Sequence, residues 1–110
     1  MRAKILNASA GSGKTYQLAY KYVRDVVEQP SIYRHILAVT FTNKATEEMK
    51  SRILKEIHLL ASGGESSYLE NLCRELDMDA ATVRRRAAEV RSKILHDYSR
   101  FTVLTIDTFF

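Results

Sequence analysis

Eight residues near the start of the chain, Ala8-Ser9-Ala10-Gly11-Ser12-Gly13-Lys14-Thr15, have the types and spacing of a loop that holds phosphate groups, with Ala in place of the pattern's opening Gly. Gly11 and Gly13 let the backbone curl with no Cβ in the way, so successive N–H groups turn toward one set of anionic oxygens. Lys14 adds a point charge for the β- and γ-phosphates, and the Thr15 hydroxyl suits Mg²⁺ as a ligand. An ordinary Gly/Ser turn ahead of a helix shares this composition, but the full spacing favours a nucleotide site.

Two further clusters could do chemistry. Thr40-Phe41-Thr42-Asn43-Lys44 gathers hydroxyls, an amide and a cation around one ring, a mixture that grips a backbone phosphate while a base stacks. Thr and Asn are also favoured helix caps, and on composition alone a plain cap with Phe41 in the core weighs about equally. Near the end, Val103-Leu104-Thr105-Ile106-Asp107 reads as an acidic strand end able to hold Mg²⁺ through water, although Thr108 stands where a catalytic Glu often would. That cluster keeps open a small self-contained P-loop phosphotransferase with Asp107 as its metal residue.

The elements that must position these clusters follow from periodicity. Ala3 to Asn7, His35 to Thr40 and Phe101 to Ile106 are short apolar runs that predict strands. Between the first two, Leu18, Ala19, Tyr22, Val23, Val26 and Val27 mark one face of a helix ending near Pro30. Ala45, Met49, Ile53, Ile57 and Leu60 mark a second helix, closed by Ser62-Gly63-Gly64. Tyr68, Leu69, Leu72, Cys73 and Leu76 mark a third, and Ala80, Val83, Ala87, Val90 and Ile94 a fourth, with Asp79 as its N-cap. Strand, helix, strand implies a parallel α/β unit with right-handed connections. All three polar clusters then fall at the carboxyl ends of strands, where open α/β sheets bind ligands.

With 110 residues, 45% hydrophobic, the chain is expected to form one modest core, a single domain over 1–110 or a piece of one. A net charge of +4 hints weakly at a polyanionic partner. The single Cys73 gives no disulfide framework, and His35, His58 and His96 lack ligand spacing, so neither zinc nor an oxidising compartment is expected; a soluble, cytoplasmic chain fits. No apolar run approaches membrane-spanning length. Arg84, Arg85, Arg86, Arg91 and Lys93 spread around their helix and read as a solvated surface.

Taken together, the phosphate loop, the stretch from Ile36 to Ala45 leading into Glu47-Glu48-Met49, and Thr105-Ile106-Asp107-Thr108-Phe109 resemble the first three motifs of UvrD/Rep-type superfamily 1 DNA helicases. The AddA/RecB-like branch, in which the helicase can be joined to a nuclease, is the most similar. The resemblance implies a three-layer RecA-like P-loop domain, a parallel sheet with flanking helices, here incomplete. It implies an ATP-binding N-terminal fragment of an enzyme that moves 3′ to 5′ on DNA in repair or recombination, inactive alone without the Asp-Glu strand, arginine finger and second lobe. Carried over, Ala8 to Thr15 with Tyr16 would face ATP and Thr15 would take Mg²⁺. Thr40, Phe41, Thr42, Asn43, Lys44, Thr105, Thr108 and Phe109 would lie along single-stranded DNA. The implied partner is the remainder of the helicase or a complementing subunit. Tyr16 stands where many members carry Arg, and Asp107 where the third motif commonly has His.

Overall fold

The structure is a computed structural model that describes residues 4–7, 12–40, 42–97 and 102–105, with side chains described over 17–32 and 42–97. Helix α1 (Ser12–Glu28) follows strand β1 (Lys4–Asn7). Its stripe of Leu18, Ala19, Tyr22, Val23, Val26 and Val27 is buried throughout, as helical spacing of apolar residues dictates. Pro30 has no N–H to continue the helix, and the chain tightens there into a 3₁₀ helix, Pro30–His35, that delivers it to strand β2 (Ile36–Thr40).

Helix α2 (Asn43–Ser62) is fixed at both ends. The Thr42 hydroxyl accepts from the Ala45 N–H at 3.0 Å, the ordinary N-cap bond. Gly63 at φ 86° closes the other end, its N–H donating to Leu59 O, in the left-handed conformation that costs glycine no Cβ clash. Helix α3 (Leu69–Leu76) stops at Asp77, which takes the left-handed form at φ 53°. Helix α4 (Ala80–His96) starts at Asp79, whose Oδ1 accepts from the Thr82 N–H at 2.8 Å. Strand β3 (Thr102–Thr105) follows.

The strands pair in parallel in the order β1-β2-β3. Asn7 stands opposite Val39, and Thr40 opposite Thr105. Because the order follows the sequence, both crossovers step the same way across the sheet, and right-handed connections then carry their helices to one face. The packing agrees: α1 lies against β1, α2 against β2 and β3, and α1 and α2 lie against each other. Helix α4 packs along α2 and also touches α1 and α3.

The three-layer RecA-like fold is corrected by this arrangement. Covering both faces of a parallel sheet requires the strand order to reverse, and the described strands do not reverse. Among the residues whose side chains are described, 17–32 and 42–97, the buried core belongs to a four-helix bundle, built from α1, α2, α4, Leu72 of α3 and Tyr68 at its cap; the three short strands pair beside it. Polar groups pin the bundle where α3 joins it. Buried Glu56 accepts from Ser66 Oγ at 2.7 Å, and that oxygen accepts from the Tyr68 N–H at 3.1 Å. The Tyr68 ring meets Tyr20 of α1 edge to face, centroids 5.2 Å apart, within the favoured range for such pairs. Among the described residues no helix is long and apolar enough to cross a membrane.

Candidate functional site

The register sets the geometry of the polar edge. Thr40 ends β2 and Thr105 ends β3 as direct partners, with Asn7 at the end of β1 paired one residue before Thr40. Neighbouring strands lie about 4.8 Å apart, so the carboxyl ends form one row roughly 10 Å wide. Helix α1 begins five residues after β1, which places Ser12, Gly13, Lys14 and Thr15 in its first turn, with Tyr16 next. The N–H groups of that turn have no acceptor within the helix. Helix α2 begins three residues after β2. Ala8, Ser9, Ala10, Gly11, Phe41, Asp107, Thr108 and Phe109 lie outside the described residues.

Thr42, Asn43 and Lys44 are all exposed. Thr42 serves α2 as cap, and its carbonyl accepts from the Thr46 N–H at 3.0 Å and the Thr46 hydroxyl at 3.1 Å. Neither α1 nor α2 has an acidic residue in its first turn; Lys14 and Lys44 stand there instead. A cation at the positive end of the macrodipole is unfavourable for the helix itself, so both helices start electropositive beyond what folding requires.

The basic residues of α4 have duties that sequence reasoning missed. Arg84 Nη1 donates to Leu60 O at 3.1 Å and Leu59 O at 3.4 Å, and Arg86 Nη1 donates to Glu28 O at 2.7 Å. Neither α1 nor α2 carries a basic residue in its own last turn. The arginines of α4 supply the cations that stabilise those carbonyl ends, which corrects the reading of Arg84 and Arg86 as merely solvated. The clearest electrostatic coupling is structural and lies elsewhere: the hydrogen bond from Tyr20 (2.9 Å), then that from Arg24 (3.3 Å), holds the Glu75 carboxyl below its usual range. Burial and the same hydrogen bond push the Tyr20 hydroxyl up.

The expectation of an ATP-binding motor domain is corrected together with the fold. A RecA-like lobe centres on a sheet covered on both faces, whereas the described core here is the helical bundle. ATP-driven 3′–5′ unwinding is not assigned to this chain.

Comparison with known proteins gives a consistent family. A family described as UvrD/REP helicase N-terminal domain matches residues 2–109. The chain is 31% identical over 103 residues to the RecBCD enzyme subunit RecB of Borreliella burgdorferi, a match covering 92% of this chain and 8% of that protein. It is 32% identical over 87 residues to the RecB protein of Escherichia coli, covering 67% and 7%. With the ATP-dependent DNA helicase PcrA of Bacillus subtilis it shares 47% over 49 residues, covering 44% and 7%. The chain spans less than a tenth of the length of these relatives. No solved structure gives a significant match.

Proposed function

The chain belongs to the UvrD/REP helicase family, in its N-terminal domain, and from that premise we propose that it provides an electropositive edge at which a larger assembly holds single-stranded DNA beside magnesium-bound ATP. The observation that carries this reading is the pair of helix starts, α1 with Lys14 and α2 with Lys44, that lack acids and follow adjacent parallel strands.

In this reading Lys44 and the α2 N-terminus attract backbone phosphate. Thr40, Thr42, Asn43 and Thr105 offer hydroxyl and amide groups along the row of strand ends, and the family resemblance adds Phe41, Thr108 and Phe109 as contacts, the two phenylalanine rings being suited to stack on bases. Ala8 to Thr15 cradle the triphosphate, Tyr16 lies beside it, and Thr15 is the hydroxyl for Mg²⁺, which when bound neutralises phosphate charge. The rest of the helicase, or a complementing protein, closes the site from the other side. A reducing, cytoplasmic setting accords with this role and with the half-buried single cysteine, Cys73.

Fluorescence anisotropy with a labelled twelve-nucleotide oligo-dT tests the DNA half. Lys44→Ala should weaken binding and lower the salt slope by roughly 0.7. Calorimetry with MgATP tests the nucleotide half, and Lys14→Ala should abolish the heat of binding. Wild-type behaviour in both variants would overturn the proposal.

A further inference from the structure

Helix α3 is held to the bundle differently at its two ends. At its start, buried Glu56 of α2 accepts from Ser66 Oγ, that oxygen accepts from the Tyr68 N–H, and the Tyr68 side chain is buried. In its last turn Glu75 is exposed, and its Oε2 accepts from the Tyr20 hydroxyl at 2.9 Å and from Arg24 Nη1 at 3.3 Å. Tyr20 and Arg24 stand one turn apart on α1, so one carboxylate oxygen joins α3 to that helix through two donors. Tyr20 meets both ends of α3, its ring against Tyr68 and its hydroxyl on Glu75. Those two residues are seven apart, about 10 Å along a helix.

Between its ends α3 is lightly held. It is eight residues long, and Leu72 is its one buried side chain; Leu69, Cys73 and Leu76 are partly buried against the bundle. A helix this short is not stable by itself in water, so α3 depends on those contacts. The chain leaves it through Asp77 at φ 53°, the one non-glycine with a positive φ among the described residues. A residue with a Cβ is disfavoured there, so the backbone relaxes when Asp77 leaves that form. The bonds closing this end are local, from the Asp77 and Met78 N–H groups back to Cys73 O. Arg24 keeps a carboxylate beside it when Glu75 departs, since its Nε lies 3.8 Å from Asp25 Oδ1.

We propose that α3 is a strap that opens and closes on the bundle, pivoting at Ser66 to Tyr68, with Glu75 as its latch on Tyr20 and Arg24 and with Asp77 as its hinge. Closed, the strap lays Leu72, Cys73 and Leu76 against the bundle, where α3 meets α1 and α4. Opening uncovers that apolar surface while α1, α2 and α4 stay packed on one another.

The test is native-state hydrogen exchange of the full chain, followed by NMR at low urea. The rate of thiol labelling at Cys73, the single cysteine of the sequence, is a second readout. The chains compared are wild type, Glu75→Ala, and Tyr20→Phe, which keeps the ring against Tyr68 and loses the hydroxyl. The amides of residues 73–78 should share one opening whose urea dependence is weaker than that of the Ile57 and Val90 amides in α2 and α4, the mark of a unit that opens below global unfolding. Either variant removes an exposed bonded contact and should raise exchange at 73–78, and labelling of Cys73, by about two- to fivefold, with Ile57 and Val90 unchanged. Exchange of 73–78 only together with Ile57 and Val90 would overturn the proposal. So would a Glu75→Ala chain whose rates are unaltered, or rise equally in α2, α3 and α4.

Discussion

Replacing Arg84 by Met removes the cation from the end of α2 while keeping most of the side chain's apolar length. Two bonds are lost, to Leu60 O at 3.1 Å and Leu59 O at 3.4 Å. Leu59 O still accepts from the N–H groups of Gly63 and Gly64, the latter at 2.8 Å, so the loss falls mainly on Leu60 O. A hydrogen bond to a charged group contributes about 1.5–3 kcal/mol when buried, and a cation at a helix C-terminus about 0.3–1 kcal/mol. Arg84 is half-buried, which discounts the first figure for solvent, and about 1–2 kcal/mol remains. At roughly 4–8 °C per kcal/mol for a domain near this size, the melting temperature should fall by about 5–15 °C. Arg85, one residue on, is exposed, and Arg85→Met should stay within about 0.5 kcal/mol. Thermal and urea unfolding followed by circular dichroism compare the two. Equal effects would show that α4's arginines are interchangeable surface charges and that capping across helices contributes nothing.

Three further outcomes are expected. Thr42→Ala should cost about 1 kcal/mol by urea unfolding while Thr42→Ser costs little, because only the hydroxyl is needed to accept from Ala45 N–H; equal losses would point to packing of the Thr methyl instead. The hydrogen bonds from Thr82 hold the Asp79 carboxyl below its ordinary value of 3.8. A carboxylate depressed on folding contributes its stability above about pH 4 and loses it as pH falls through the lower folded value, so the gap between wild type and Asp79→Asn should be constant above that pH and change below it. A gap that stays flat in urea midpoints measured from pH 2 to 6 would refute the cap's ionic contribution. Ile57→Ala removes a side chain only 1% exposed in the bundle core and should cost about 2–5 kcal/mol; a loss under 1 kcal/mol would mean that α2 is not the bundle's central helix.

The helices were legible because each carries its own record. The stripes on α1, α2 and α4 recur at helical spacing, and their residues are buried except Ala45, which is half-buried, and Ala80, which is exposed. Ends were legible where one residue's chemistry decides them: Pro30, which cannot continue α1, and Thr42, Gly63 and Asp79, which cap. Asp77 was not, since a left-handed C-cap is usually Gly or Asn. Nor were the α4 arginines, whose partners lie 24 to 58 residues back along the chain. Their signal was present in negative form: α1 and α2 both end without a basic residue of their own.

The same limit explains the fold correction and shapes the functional one. Strand identity is local, but the sides of a sheet that helices cover depend on strand order, which nothing in a run such as Ile36 to Thr40 records. An order of β1-β2-β3 sends both crossovers to one face, and the long excursion between β2 and β3 supplies three helices that bury their apolar stripes on one another and on α1. Among the described side chains that excursion makes the bundle the core. Lys14 and Lys44 therefore begin helices whose stability comes from apolar packing elsewhere. A bundle anchored in this way can keep cations at two helix starts, where the macrodipole disfavours them, which is what the proposed phosphate contacts require.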